Sequence, residues 1–292
     1  METLREIFSL FRNSLCISLL VGLVCPLVGV FLVLRRLIFL GVALPQVSSC
    51  GIAAAFALHT LHIIPHLEGS TEHSLAFMGS SVFTLGAIAA LSALERRGGG
   101  LVDGRIGTAY VLAGAWSILL LVKNPHGEHG LLERLKGEII AVSNADLALT
   151  GITFGVVTAV LLVFRKELLL VSFDREMALT LRKNVRVWDL VLFGAIGLTV
   201  SMSVLSVGPL VTFGFLLIPP LMAHLLAKTM WQFMLLASAI GVAAAFIGFI
   251  LAYRWDLPVG PTDVALLGVI YGATFFGKKL CRRSLALKRP AH

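Results

Sequence analysis

Nine stretches of this chain, at 14–34, 37–58, 75–94, 106–122, 145–164, 188–206, 209–227, 232–253 and 261–277, are long, apolar and almost free of charge. A helix rises about 1.5 Å per residue, so roughly 20 such residues cross a hydrocarbon slab about 30 Å thick. Lipid satisfies no backbone N–H or C=O, which leaves helices as the spanning structure; barrel strands would alternate in hydropathy instead of running continuously apolar. The sequence therefore predicts an all-α, polytopic transmembrane helical bundle of about nine spans. Charged residues make up 14% of the 292, against about 25% in soluble domains. Residues 1–292 read as a single transmembrane domain that ends in a basic tail at 278–292.

The count hinges on 188–227, which carries no charge between Asp189 and Lys228 and is divided only by the SVGPL stretch at 206–210. Gly208 gives backbone freedom and Pro209 lacks an amide donor, so a sharp turn at the membrane edge is expected. A kinked or re-entrant segment is the alternative, giving eight or ten spans. No small-residue cleavage site follows the first apolar run, so the first span is expected to stay. Cys16, Cys25, Cys50 and Cys281 are scattered without CxxC spacing and read as thiols, not as a disulfide or metal framework.

Lys and Arg collect on the cytoplasmic side of short loops. The densest cluster is the tail, with Lys278, Lys279, Arg282, Arg283, Lys288 and Arg289, which sets the C-terminus inside. Counting back through nine spans puts Arg35–Arg36, Arg96–Arg97–Arg105 and the 165–186 loop inside as well, and the N-terminus outside. The net charge of +8 thus belongs to membrane edges and not to one soluble face, which argues against a nucleic-acid partner. An outward stretch holds His59, His62, His66 and His73 with Glu68 and Glu72. His59, His62 and His66 could capture a metal as it is delivered, or be ordinary loop histidines.

Two segments carry polar groups that need an explanation. In 35–55, Pro45, Gln46, Ser48, Ser49 and Cys50 interrupt an apolar run. Polar groups in lipid must face protein or water. Pro45 could therefore open the backbone while Gln46, Ser48, Ser49 and Cys50 line a hydrated translocation path; alternatively the serines are contact residues between helices. The second segment is 164–189, where Asp174 can cap a short helix with Glu176 in its first turn and Arg182 and Lys183 in its last. It is either an amphipathic connector or a docking element for a cytoplasmic protein. Asp263 follows a turn and is expected to cap the last helix. His224, near the end of the seventh span, reads as an interfacial residue.

Ser172, Phe173, Asp174, Glu176 and Ala178 form a pattern similar to the "sFD-x-E-x-A" loop of the membrane permeases of ATP-binding-cassette importers for zinc, manganese and iron. Arg35–Arg36 with Gly41, Ala43, Leu44 and Gly51 resembles that family's "RR…GDALxHAxLxG", and Asp103, Ile106 and Gly107 its "DxxIG". Val142–Ser143 with Asp146–Leu147 resembles "VSxxDL", Leu216–Leu217–Ile218–Pro219 the "LLxIPAATA" helix, and Asp256–Leu257–Pro258 with Gly260–Pro261 "DLPxGP". The likeness runs over roughly 14–277 in the right order.

The resemblance implies the permease subunit of a divalent-metal importer in a bacterial or archaeal inner membrane. It implies a homodimer, two cytoplasmic ATPase subunits gripping the loop through Phe173, Asp174, Glu176 and Ala178, and a metal-binding protein outside. The chain has no GxxxxGK[ST] phosphate loop, so it is not expected to be an enzyme or to bind a cofactor itself; ATP and Mg²⁺ would sit on the partner, and the metal would be cargo. Where the family carries an Asp and a His near the path, this chain has Val42 and Gln46, a departure that leaves the cargo open. The competing readings are an ATP-independent carrier or channel, a permease for a non-metal substrate, and an intramembrane enzyme; the last has no Gly-x-Ser-x-Gly or His-Glu-x-x-His motif in its favour. With the tail inside, a membrane-impermeant maleimide added to intact cells is expected to leave Cys281 unmodified and to label it once the membrane is permeabilised.

Overall fold

The computed structural model describes residues 11–60, 70–96, 102–122 and 143–287. Every regular element among them is helical: α1 (Arg12–Leu34), α2 (Ile38–Thr60), α3 (Ser70–Arg96), α4 (Val102–Val122), α5 (Asn144–Val163), α6 (Arg165–Phe173), α7 (Arg175–Thr180), α8 (Val185–Val207), α9 (Pro209–Leu226), α10 (Met230–Trp255) and α11 (Val259–Leu287). Nine of these are long and apolar enough to cross a membrane, α6 and α7 being the exceptions. The division of 188–227 is the expected sharp turn: Gly208 sits at φ 85° and Pro209 is the first residue of α9. A left-handed φ costs glycine nothing, and proline is pre-set for a helix start.

Burial is graded across the spans. The most apolar windows of α1 and α2 are each 72% buried and that of α8 is 67% buried, whereas those of α3, α4 and α5 are 22% buried. The outer helices carry exposed Val82, Val111, Trp116, Ile118, Ile152 and Val156, as expected of surfaces whose solvent is lipid.

Between apolar helices in lipid there is little hydrophobic drive, so association relies on close van der Waals approach at small residues. α1 meets α10 this way. A Cβ added to Gly22 would lie 2.8 Å from the Gly241 carbonyl oxygen, and one on Gly241 would collide with Gly22 O and the Pro26 ring. On the same helix, a Cβ on Gly29 would collide with the Leu216 carbonyl of α9. The α2–α3 pair repeats the device, with Gly51 and Gly79 each facing the other's carbonyl.

Polar contacts agree with the alternating topology. At one end, Asn13 Nδ2 of α1 donates to Asn144 Oδ1 of α5 at 2.8 Å. At the other, Arg35 reaches Asp189, Arg165 stacks on Trp231, and Lys278 Nζ donates to the Leu225 carbonyl. This second end holds the arginine pair, α6, α7 and the start of the basic tail, into which α11 continues as helix to Leu287. Gly29→Ala is expected to destabilise the protein by about 1–3 kcal/mol, the usual cost of overpacking, while Gly86→Ala, which meets nothing within 4 Å, is neutral. Melting of the two variants in detergent checks this.

Candidate functional site: the basic-end helix pair and the polar groups of the spans

The segment singled out around Asp174 folds into two short helices set at a corner. α6 ends at Phe173, and Asp174, at φ −139° and ψ 92°, is the N-cap of α7, its Oδ1 accepting from Met177 N at 2.9 Å. Glu176 lies in the first turn, where the helix dipole favours an acid. The expected placement of Arg182 and Lys183 in the last turn is corrected. α7 stops at Thr180, and Arg182 takes a left-handed φ of 54° while its N–H bonds to Leu179 O and that of Lys183 to Ala178 O, both at 3.0 Å. That pair of bonds is the αL stop which satisfies the last carbonyls of a helix.

The chemistry of this corner lies in what it exposes. Ala178 is 0% exposed and anchors α7 with Val171 and Val185, whereas Phe173 is 72% exposed, and Met177, Leu179 and Leu181 are likewise exposed. These side chains lie outside the nine spans, so an apolar patch here faces water in the isolated chain. Such patches mark contact surfaces. Beside it, Arg165, Lys166, Leu169, Met230, Trp231 and Met234 line an open groove of about 570 Å³, with the Arg165 guanidinium 4.7 Å from the Trp231 ring centroid.

Beneath the corner lies an ion-pair cluster that the sequence reading did not find. Arg35, the residue that closes α1, donates from Nη1 to Asp189 Oδ1 at 2.7 Å and from Nε to Ser172 Oγ at 3.0 Å, with its guanidinium 5.4 Å from the Phe193 ring centroid. The other oxygen of Asp189 faces Arg175 Nη2 of α7 at 3.3 Å. The side chains of Arg35 and Asp189 are each 11% exposed and that of Arg175 is 62% exposed. Breaking a buried pair by removing one partner costs about 3–5 kcal/mol. Arg36, next in the chain, takes φ 58° and turns it into α2. The one legible signal was an aspartate early in an apolar span, a charge that must be paired.

The polar candidates in α2 separate. Ser48 is fully buried, its Oγ 2.6 Å from Ser80 Oγ of α3; Ser80 Oγ donates to the Ser201 carbonyl of α8 at 3.5 Å, and Ser201 Oγ donates to Thr84 Oγ1 at 3.3 Å. Ser48 thus ties α2 to α3, and Ser80 carries the link on to α8. Gln46 places its amide nitrogen beside Gly114 of α4, and Cys50 packs with Val47 and Ala113. Ser49 is buried in α2. Val42 is half-buried, and Pro45 lies inside a helix assigned continuously from Ile38 to Thr60, so no break opens there.

Cys16, Cys25 and Cys50 are free thiols, Cys25 Sγ lying 3.0 Å from Ser203 Oγ. His224 is exposed, its ring 5.5 Å from that of Phe233. His59 is the penultimate residue of α2; His62 and His66 lie outside the described residues. Among the described residues no three His, Cys, Asp or Glu side chains converge as a metal site. Asp263 is not a cap: α11 begins at Val259, and Asp263 is fully buried inside it, Oδ2 accepting from Ser18 Oγ at 3.5 Å, in room left by Gly248.

Nine helices able to cross a membrane, with a capped helix pair that exposes apolar side chains at the basic end, fit the membrane subunit of a multi-component transporter. The comparison with known proteins agrees: residues 7–278 match the model of the ABC 3 transport family, and the chain belongs to that family. It is 30% identical to the manganese transport system membrane protein MntD of Bacillus subtilis, over 88% of each chain. It is 27% identical to the manganese import system permease protein ScaB of Streptococcus parasanguinis, over 92% of this chain and 91% of that one. The fold superposes on the structure titled PsaBC from Streptococcus pneumoniae in complex with Fab, with a TM-score of 0.80 over 94% of each chain at 24% identity. Because Asp174 holds the first turn of α7 through one side-chain bond, Asp174→Ala is expected to cost about 1 kcal/mol and to speed exchange of the Met177 amide. Asp174→Asn, which keeps an acceptor, leaves that exchange close to wild type.

Proposed function

We propose that this chain is the permease of an importer for a divalent metal ion, manganese first, in a bacterial or archaeal cytoplasmic membrane. It works as a homodimer with two ATP-hydrolysing subunits on the α6–α7 side and a metal-delivering binding protein on the other. ATP and Mg²⁺ belong to the ATPase; this chain holds neither, and the metal is cargo. The observation that carries the reading is the water-facing apolar surface of Phe173, Met177, Leu179 and Leu181, at the end where Lys and Arg collect. A partner's apolar groove would remove that surface from water at roughly 25 cal/mol per Å². Family membership supports an ATPase and a binding protein as partners, and the named relatives support manganese.

In this reading the cargo passes along α2. Gln46, Ser49 and Cys50 belong to the path, while the Ser48 hydroxyl is committed to Ser80 and holds α2 against α3. Gln46 offers a neutral amide where the family resemblance implies an imidazole, so the path binds a cation weakly and selection falls to the delivering protein.

The test is reconstitution of the chain in liposomes with its ATPase and binding protein. Saturable Mn²⁺ accumulation is expected only with ATP and the ATPase. Met177→Glu, which puts a charge on the apolar face, is expected to weaken ATPase co-purification by roughly 10-fold, the equivalent of about 1.4 kcal/mol. Joint replacement of Asp174 and Glu176 by lysine should stop uptake. Accumulation of Mn²⁺ without any ATPase would overturn the proposal.

A further inference from the structure

We infer that Asp189 is the mechanical junction of the transporter, splitting its two carboxylate oxygens between the membrane core and the docking helices so that movement of α7 is delivered to α1. This rests on the docking role proposed above for the α6–α7 pair. Oδ1 holds Arg35 at 2.7 Å and Oδ2 holds Arg175 at 3.3 Å. Arg35 closes α1 and also binds Ser172, at the end of α6, through Nε at 3.0 Å. The corner at Asp174 is thereby tied on both sides, by Ser172 before it and Arg175 after it, to one arginine–aspartate pair.

What lies behind Arg35 is stiff. α1 is fixed to α10 through Gly22 and Gly241 and to α9 through Gly29 and Leu216, contacts at backbone distance that cannot slip. A displacement of Arg35 therefore travels along α1 into two further spans. Asp189 itself is the fifth residue of α8, whose opposite end turns through Gly208 directly into α9. α9 thus receives movement by two routes, one through α1 and one along the chain. The cluster is also adjustable: Arg35 Nη2 is buried without an acceptor among the described residues, and the Arg175 side chain is 62% exposed. An incompletely satisfied network with one water-facing arm can exchange partners as α7 moves, whereas a fully satisfied buried pair would be a rigid strut.

Asp189, Arg35 and Arg175 are positioning residues in this scheme and need not touch cargo. The experiment uses the complete transporter in proteoliposomes, with Mn²⁺ as the probe, and reads the ratio of Mn²⁺ moved to ATP hydrolysed. Asp189→Asn is expected to keep the ATPase bound and hydrolysing while the ratio falls roughly 10-fold, within the range by which single residues alter coupling between sites. A ratio within about twofold of wild type in an assembled Asp189→Asn complex overturns the inference.

If that variant fails to assemble, the exposed arm decides: Arg175→Gln should lower the ratio roughly threefold and Arg175→Lys should restore it. An unchanged ratio in Arg175→Gln overturns the inference too. A cargo-independent readout separates this result from the choice of metal. A nitroxide on Leu210, exposed at the far end of α9, should change its accessibility to a water-soluble relaxation agent when ATP and vanadate are added to wild type. The change should be absent in Asp189→Asn or, where that variant does not assemble, diminished in Arg175→Gln. Absence of Mn²⁺ transport in wild type with a nucleotide-dependent nitroxide change defeats the cargo reading alone; an equal change in wild type and the assembled variant defeats the junction.

Discussion

Contact at backbone distance between α1 and its neighbours is the constraint on which the structure rests. In water an apolar helix is driven onto another by burial; in a bilayer the alternative partner is lipid, equally apolar, and the gain must come from closer approach than lipid can make. Gly22, Gly29 and Gly241 supply it, each leaving a carbonyl of the facing helix where a methyl group would otherwise sit. Pro26, inside α1, packs its ring against Gly241 at that crossing. α1 is therefore held on two sides over about two turns of its length, and its buried residues run from Ser14 to Leu32. Fixed so closely, α1 would move as one body if Arg35, its C-cap, were displaced.

Hydroxyls supply a second set of ties, concentrated on α8. Ser201, Ser203 and Ser206 of one helix reach α3, α1 and α5 respectively, through Thr84, Cys25 and Thr150. Each is a weak bond; interhelical hydrogen bonds in membranes average well under 2 kcal/mol. Their value is positional: Ser201 and Ser203, two residues apart in a helix, point to nearly opposite sides and bond to different helices, so α8 cannot rotate without losing one of them. Ser48 enters this set from α2 and fixes the rotation of the helix that carries Gln46 and Cys50. Val42 and Gln46 stand where the family resemblance implies two ionisable groups, and an apolar side chain and a neutral amide cost less to bury than ions, so α2 can pack closely against α4 with Gln46 lying on Gly114.

The nine spans were legible because continuous apolarity over about 20 residues has one structural meaning in lipid. The Gly208–Pro209 turn and the Asp174 cap were legible because both are local, a matter of one residue's backbone freedom and one side chain's reach to an amide three residues on. The Ser143–Asp146 pair, noticed only as a family pattern, is a reciprocal capping box that starts α5. What escaped was non-local. Arg35 and Asp189 are 154 positions apart, and no periodicity links them. Asp263 was read from its proximity to a turn, yet α11 begins four residues earlier, and the carboxyl is housed by Ser18 and Gly248 from two other helices. The end of α7 escaped for a different reason: arginine is a poor choice for a left-handed stop, so Arg182 and Lys183 read as helix residues when the chain had already turned.

The basic end reverses the logic of the spans, and the reversal explains how it can work as a coupling element. Within the spans apolar side chains face outward and Asp189 and Asp263 lie inside; at α7 apolar side chains still face outward, among exposed charges and in water, while the Arg35–Asp189 pair lies beneath. An exposed apolar face is costly until covered, so it favours a bound partner without demanding a rigid geometry of its own. The charge cluster beneath does demand geometry, because an Arg–Asp pair at 2.7 Å loses its hydrogen bond and about half of its Coulomb attraction when displaced by about 3 Å. In the assembly proposed above, the two layers divide the labour. The outer one would hold a partner through area, which tolerates sliding. The inner one would convert a small displacement into a change of charge pairing at the end of α1, which does not.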